Sequence, residues 1–392
     1  MTPFSVPTVT HRALRPVSGL AGLLLVLACT DTDAPPPGEP TSDWTTGDPV
    51  AAGFDADALD ALDADIRAGA FPNTHAVLVE HDGALVFEEY YGGSDERWGD
   101  PIPEREMGRD SLHDLRSISK SVTSALLGIA LAAGSEDFET AVSRPVASYL
   151  PEIEVGEGSE AVTLHHVLTM TPGFEWNEMS VPYTDSTNDE IRLYNATDPA
   201  VEVLRRPVVH APGSTWYYSG GTTQVLASII TELTGRTIDE FARENLFEPL
   251  GITRFEWLGP GAWTPDNPAA MSGLRLTARD LAKIGAVYLN GGRSNGRQVV
   301  PEEWVRRSSQ RDVAEISEWD DGGIWGYGYQ WWVGDLATGQ RVVAGFGNGG
   351  QRLFILPGED LVITVFAGRY NASGPYSQQI LERILAARGG NE

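Results

Sequence analysis

Strand-forming sequence lies at both ends of this chain, with helix-forming sequence between, so any sheet must be assembled from distant parts of the 392 residues. Near the start, "AVLVEHDGALVFEEYYGG" (76–93) reads as two strands joined at Asp82-Gly83, a dipeptide suited to the positive backbone angles of a tight hairpin. Near the end, "GQRVVAGFGNGGQRLFILPGEDLVITVFAG" (339–368) reads as three strands turning at Asn348-Gly349-Gly350 and Pro357-Gly358, followed by a helix from about Tyr376 to Ala387. An amphipathic segment, Phe54 to Ile66, precedes the first hairpin with Leu59, Leu62 and Ile66 at helical spacing. From roughly 112 to 290 helical patterns dominate, including "TTQVLASIITELTG" closed by Gly235 and "TARDLAKIGAVYLNGG" closed by Gly291. No internal repeat at a solenoid period is visible.

With 41% hydrophobic residues the chain has enough apolar sequence for a substantial core. Its net charge of −27, without basic runs, argues against nucleic acid or an anionic membrane surface as a partner, because phosphates repel an acidic surface. Arg12 and Arg15 precede "PVSGLAGLLLVLAC", an apolar run too short to span a bilayer, which reads as a secretory signal over residues 1–28. Its end, Val26-Leu27-Ala28-Cys29, resembles the lipobox of bacterial lipoproteins, which implies Cys29 as the lipidated first residue of the mature chain. An ordinary signal peptide with a chance cysteine is the competing reading. Cys29 is the only cysteine, so an intramolecular disulfide is excluded. Removing residues 1–28 takes two arginines and no acid, and the charge of −27 becomes −29. The Pro- and Asp-rich stretch up to Trp44 reads as a disordered tether (29–44), leaving 45–392 as the folded domain. The resulting expectation is an exported lipoprotein on the periplasmic face of a membrane. Thr30 after Cys29 points towards the outer one. A monomer is expected, though no feature of the sequence fixes the oligomeric state.

"HDLRSISKSVTSALLGIALAAG" (113–134) carries the chemistry. Ile118, Val122, Ala125, Leu126, Ile129 and Ala133 form an apolar stripe, Gly134 supplies a stop, and Leu127 with Leu131 makes a second side apolar. Such a helix belongs in the centre of a domain. Ser117 falls in its first turn, where free N–H groups and the helix dipole favour developing negative charge. Lys120, one of two lysines against 26 arginines, lies one turn on, on the same face. A lysine directed into an apolar interior can accept the serine's proton, whereas arginine cannot release its own. The competing reading makes Ser117 an N-cap and Lys120 an exposed first-turn residue.

Tyr218, in "APGSTWYYSGGTTQVLASIITELTG", occupies a glycine-rich loop before a helix, where a phenol can project into a cleft. With this element the chain resembles the serine β-lactamase and penicillin-recognising family. The likeness is strongest to the branches that hold class C β-lactamases, family VIII-type esterases and 6-aminohexanoate-dimer hydrolases. It runs from about residue 52 to the C-terminus and includes "VTLHHVLTMTPGFEW", "MSGLRLTARDLAKIGAVYLNGG" and "YGYQWW". The resemblance implies an α+β sandwich of the β-lactamase/transpeptidase type: an antiparallel sheet built from both chain ends, flanked by helices, with a helix-rich middle. It also implies Ser117 as nucleophile, Lys120 as activating partner and Tyr218 as proton relay. Trp176, Gly220, Gly347 and Gly349 are then expected to contact substrate.

Two departures from the family pattern bear on substrate. The tyrosine motif is usually Tyr-x-Asn, but here it reads Tyr218-Ser219-Gly220. The third motif normally carries lysine or histidine, yet no lysine follows Lys283 and no histidine follows His210, so the equivalent "GFGNGG" offers mainly backbone. An oxyanion hole survives this loss, since it needs two N–H groups, here those of Ser117 and Asn348. Carboxylate recognition is harder to keep unless Arg352 or Arg369 substitutes. A serine hydrolase of small esters or amides is therefore expected. A β-lactamase or D-alanyl peptidase, or a non-catalytic cell-wall-binding lipoprotein, are the alternatives.

Other motifs carry less. Gly292-Arg293-Ser294-Asn295-Gly296 matches G-x-S-x-G, but a helix precedes it and "RQVV" follows, so a turn is expected. His165-His166 reads as packing or capping, and no metal or organic cofactor is implied. Trp325, Tyr327, Tyr329, Trp331 and Trp332 alternate as on a core strand, or line an acyl pocket.

Overall fold

The computed structural model describes residues 44–261, 263, 266–316, 323–372 and 376–389. The signal segment, Cys29 and the tether up to residue 43 lie outside them. Trp44 is already part of the folded body, its indole N–H donating to the Arg279 carbonyl at 3.0 Å.

Eight strands form the main sheet: β1 (Thr45–Thr46), β2 (Thr74–His81), β3 (Ala84–Tyr90), β4 (Gly323–Tyr327), β5 (Trp332–Leu336), β6 (Arg341–Gly347), β7 (Gln351–Leu356) and β8 (Leu361–Ala367). Their order is β1-β3-β2-β8-β7-β6-β5-β4, so the two chain ends meet at the antiparallel β2/β8 pair, where Val79 faces Ile363. The expected antiparallel pairing holds throughout except at the edge, where the short β1 runs parallel to β3 and makes the sheet mixed. Asp82 and Gly83, at φ 49° and 76°, form the expected hairpin between β2 and β3.

The pleat sends alternate residues to opposite faces. Val77 and Val79 of β2 join a cluster with Leu59, Leu62 and Ile66 of α1 (Ala56–Arg67), and Ile380 and Ile384 of the last helix belong to the same cluster. Ala76 and Leu78 face the other cluster, which contains α2 (Ile118–Ala132), α3 (Gly220–Thr234) and α4 (Ala278–Leu289). The last helix, α5 (Tyr376–Gly389), thus lies with α1 on one face, and the helix-rich middle covers the other. In α2 every residue from Ile118 to Gly128 is buried, as its two apolar sides require. Gly128 is needed there because a Cβ would collide with the buried Trp304 ring. No helix among the described residues is long and apolar enough to cross a membrane.

The aromatic segment serves both of its readings. The strand breaks after Tyr327, and Gln330 takes φ 63°. Trp325, Tyr327 and Trp332 therefore pack on the α1/α5 side, and Tyr329 and Trp331 on the other. Only Trp332 of the five lines the cleft described below. His166 caps its helix, its Nδ1 accepting from the Thr163 N–H at 3.1 Å, and His165 Nδ1 meets the Tyr329 hydroxyl at 2.9 Å. Residues 293–298 form a small hairpin turning at Asn295-Gly296, not a strand-to-helix elbow.

Candidate active site

Ser117 stands at the N-terminus of α2, preceded by Arg116 at φ 50°, a left-handed conformation that costs a non-glycine residue about 1 kcal/mol. Surrounding contacts hold it there. Arg116 pairs with Glu96 at 2.8 Å and Asp114 at 3.1 Å, and its guanidinium lies 4.6 Å over the Tyr370 ring. Asp114 in turn accepts from Arg275 Nε at 2.6 Å and from the Trp98 N–H at 2.7 Å.

One turn into α2, Lys120 is 1% exposed, and its Nζ donates to Ser117 Oγ at 3.2 Å and to the Met271 carbonyl at 2.9 Å. Tyr218 comes from the loop before α3, whose Ser219 cap accepts from the Thr222 N–H. Its hydroxyl hydrogen-bonds Ser117, its ring stacks on Trp332, and Lys120 Nζ lies 4.9 Å over that ring. Burial, reinforced by the Glu178 carboxylate, pushes the phenol well above its ordinary value, so it stays protonated near neutral pH. Ser117, Lys120 and Tyr218 thus converge in one cluster, with Lys120 and Tyr218 buried and Ser117 half-buried at the cleft.

Two carboxylates that sequence reasoning missed stand beside it. Glu190 Oε2 lies 3.7 Å from Lys120 Nζ, and Glu190 Oε1 accepts from the Tyr194 hydroxyl at 3.0 Å. Glu178 is fully buried and accepts from the Gly220 N–H (2.7 Å), the Trp176 indole (2.9 Å) and the Tyr183 hydroxyl (2.7 Å). Burial and the neighbouring Glu190 push Glu178 up to about 8, against the pull of Lys120 and these donors.

The cleft has two lobes that meet at Ser117. One, of about 470 Å³, is walled by Tyr218, Trp332, Gly347, Gly349, Arg352 and Arg369. The other, of about 480 Å³, is walled by Glu96, Trp98, Glu190, Tyr194 and Tyr370. Tyr183, Thr184, Asn348 and Asn371 border both. The end of β6 lines the lobe beside Ser117, and residue 347 must be glycine there, since a Cβ would collide with the Leu115 carbonyl. Asn348 is fixed by a two-way bond with Asn371, donating to its Oδ1 at 2.9 Å and accepting from its N–H at 2.7 Å.

Trp176 and Gly220, expected to touch substrate, line neither lobe. They sit one layer back and hold Glu178, with the Trp176 ring so close to Gly221 that a Cβ there would collide with it. Arg352 and Arg369, either of which could substitute for the third-motif cation, both line the first lobe. Arg352 lies 4.7 Å over Phe346, and Arg369 lies 4.5 Å over Tyr376. Behind Tyr370, the described residues include one group at metal-ligating distance, His75, Asp95 and His113. Within it His75 Nδ1 and His113 Nε2 are hydrogen-bonded at 2.8 Å, and Asp95 accepts from Tyr370 at 2.8 Å.

A mixed sheet backed by a buried helix thus brings a serine, a lysine and a tyrosine together at a two-lobed cleft. The chain belongs to the Beta-lactamase family, whose model matches residues 59–387. The 6-aminohexanoate-dimer hydrolase of Paenarthrobacter ureafaciens is 29% identical over 311 residues, spanning 74% of this chain and 71% of that protein. Esterase EstB of Burkholderia gladioli is 29% identical over 221 residues, spanning 52% of this chain and about half (53%) of EstB. Among solved structures, EstCE1, a hydrolase with promiscuous acyltransferase activity, shares the fold with a TM-score of 0.66 at 16% identity, over 86% of this chain and 99% of that one. Family membership, with hydrolases among its relatives, makes this chain a serine hydrolase.

Proposed function

We propose that the chain hydrolyses a small ester or amide through an acyl-enzyme on Ser117. The observation that carries this reading is that Lys120 Nζ meets the Ser117 hydroxyl at 3.2 Å, with Tyr218 beside them, at the point where the two lobes meet. Lys120 takes the serine's proton as Oγ attacks the carbonyl carbon. The N–H groups of Ser117 and Asn348 receive the developing oxyanion. Tyr218 gives its own proton to the leaving alcohol or amine as the bond to the acyl carbon breaks and regains one from Lys120, and water then releases the acid and restores the serine. The names of the two relatives, an amide hydrolase and an esterase, support this substrate class. A second reading, a substrate bearing a carboxylate as β-lactams and D-alanyl peptides do, draws on Arg352 and Arg369 in the first lobe.

The test is intact-protein mass after incubation with a fluorophosphonate. A single adduct on the wild type, lost in Ser117→Ala and at least about a hundredfold slower in Lys120→Arg, is the expected result. A folded wild type that takes no adduct refutes the reading. We further propose export as a monomeric lipoprotein anchored through Cys29, which metabolic palmitate labelling of wild type against Cys29→Ala tests.

A further inference from the structure

Lys120 sits where a free cation is strongly disfavoured, yet its surroundings suit the charged form. A protonated Nζ has three N–H donors. Three acceptors face it: Ser117 Oγ at 3.2 Å, the Met271 carbonyl at 2.9 Å and Glu190 Oε2 at 3.7 Å. A neutral amine has only two N–H groups; it could take the Ser117 O–H on its lone pair, but it would leave the buried Glu190 carboxylate without a counter-charge.

Glu190 is built to face the lysine. Its side chain is 6% exposed, and one oxygen is pinned by Tyr194, which also contacts Ser272 Oγ at 3.2 Å. The other oxygen, Oε2, is buried without a hydrogen-bond partner and points at Nζ. Room for it exists because residue 220 is glycine. A Cβ there would collide with Oε2 and stand 2.9 Å from Cδ and 3.2 Å from Cγ. Glu178 does not compete for the role, because its two oxygens are taken by Gly220, Trp176 and Tyr183. The carboxylate that meets the lysine is therefore Glu190, carried on a short helix (Asp189–Leu193) more than sixty residues from Ser117.

We infer that Glu190 is a positioning residue that holds Lys120 as an ammonium against Ser117 and Tyr218, and that Gly220 is the residue that admits it. The inference rests on the reading of Ser117 and Lys120 as the catalytic pair, and it refines how the proton moves. Nζ takes the serine's proton as it passes one of its own to Glu190 Oε2. The O–H bond of Ser117 breaks, an O–H bond on Glu190 forms, and the charge of the cluster is unchanged. Collapse of the intermediate reverses the transfer and delivers the proton to the leaving group.

The chain's two lysines make the test direct. Full-length protein labelled with 13C,15N-lysine gives two side-chain signals, and Lys283→Arg assigns the one that belongs to Lys120. The charge state of Lys120 is then followed against pH in wild type, Glu190→Gln and Gly220→Ala, with Lys283 as an internal control for folding. The expected result is a Lys120 that loses its proton at least one pH unit lower in both variants than in wild type. Glu190→Gln removes the charge, whereas Gly220→Ala keeps it in the chain but evicts it from the site. A Lys120 that titrates at the same pH in all three overturns the inference. Fluorophosphonate labelling of the same samples separates the two failures, because a wild type that is not labelled refutes the catalytic reading whatever the lysine does.

Discussion

Replacing Glu80 with glutamine should stabilise this protein in alkaline solution and hardly alter it in mild acid. Glu80 lies in β2, 1% exposed, with Oε1 accepting the Gly83 N–H at 2.7 Å and Oε2 buried without a hydrogen-bond partner. Burial, with Asp360 and Asp82 nearby, pushes its carboxyl from the ordinary 4.5 to about 7, against the pull of the Gly83 N–H. The native state therefore holds a proton that the unfolded chain has released, and stability falls as pH rises from 4.5 to about 7. At about 1.4 kcal/mol per pH unit the full penalty is roughly 3 kcal/mol above that window and vanishes below it. Glutamine keeps the oxygen that accepts from Gly83, cannot ionise, and offers N–H donors towards the nearby aspartates. Urea unfolding at pH 8 should show Glu80→Gln more stable by about 2–3 kcal/mol with an unchanged slope, and at pH 5 most of that gain should be gone. An equal gain at both pH values, or none at pH 8, refutes the reasoning.

Arg369→Ala removes a cation from the first lobe, so KM for an ester bearing a carboxylate should rise about tenfold while KM for its neutral analogue stays within about twofold. Steady-state kinetics on the matched pair checks this, and equal effects on both would mean that the arginine does not read substrate charge. Gly128→Ala should cost about 3 kcal/mol, measured by urea unfolding, because the new methyl enters the space of the fully buried Trp304 ring at the centre of the fold.

What was legible in the sequence is what local geometry fixes. Ser117 and Lys120 are three residues apart on one helix, so their proximity follows from the helical turn once the apolar stripe identifies the helix. The strands of the two chain ends follow from alternation and turn residues, and their pairing at β2/β8 is the simplest way to complete one sheet. Glu190 follows no such rule. Among 55 acidic residues nothing in its spacing ties it to Lys120, and only the packing of its short helix against α3 brings them together. Trp176 and Gly220 could be placed near the site but not in the right layer, because the identity of what fills a glycine's empty space is a tertiary fact.

The departure at residue 220 nevertheless held a readable signal. With no side chain at 220, space is left beside a buried lysine. Such a void must be filled by another polar group or by water, since an uncompensated buried ammonium is too costly to persist. Glu190 fills it. The glycine at 220 and the carboxylate at 190 are therefore two parts of one arrangement. A variant that restores a side chain at 220 without removing the charge at 190 should disturb the site more than either change does when the two are made together.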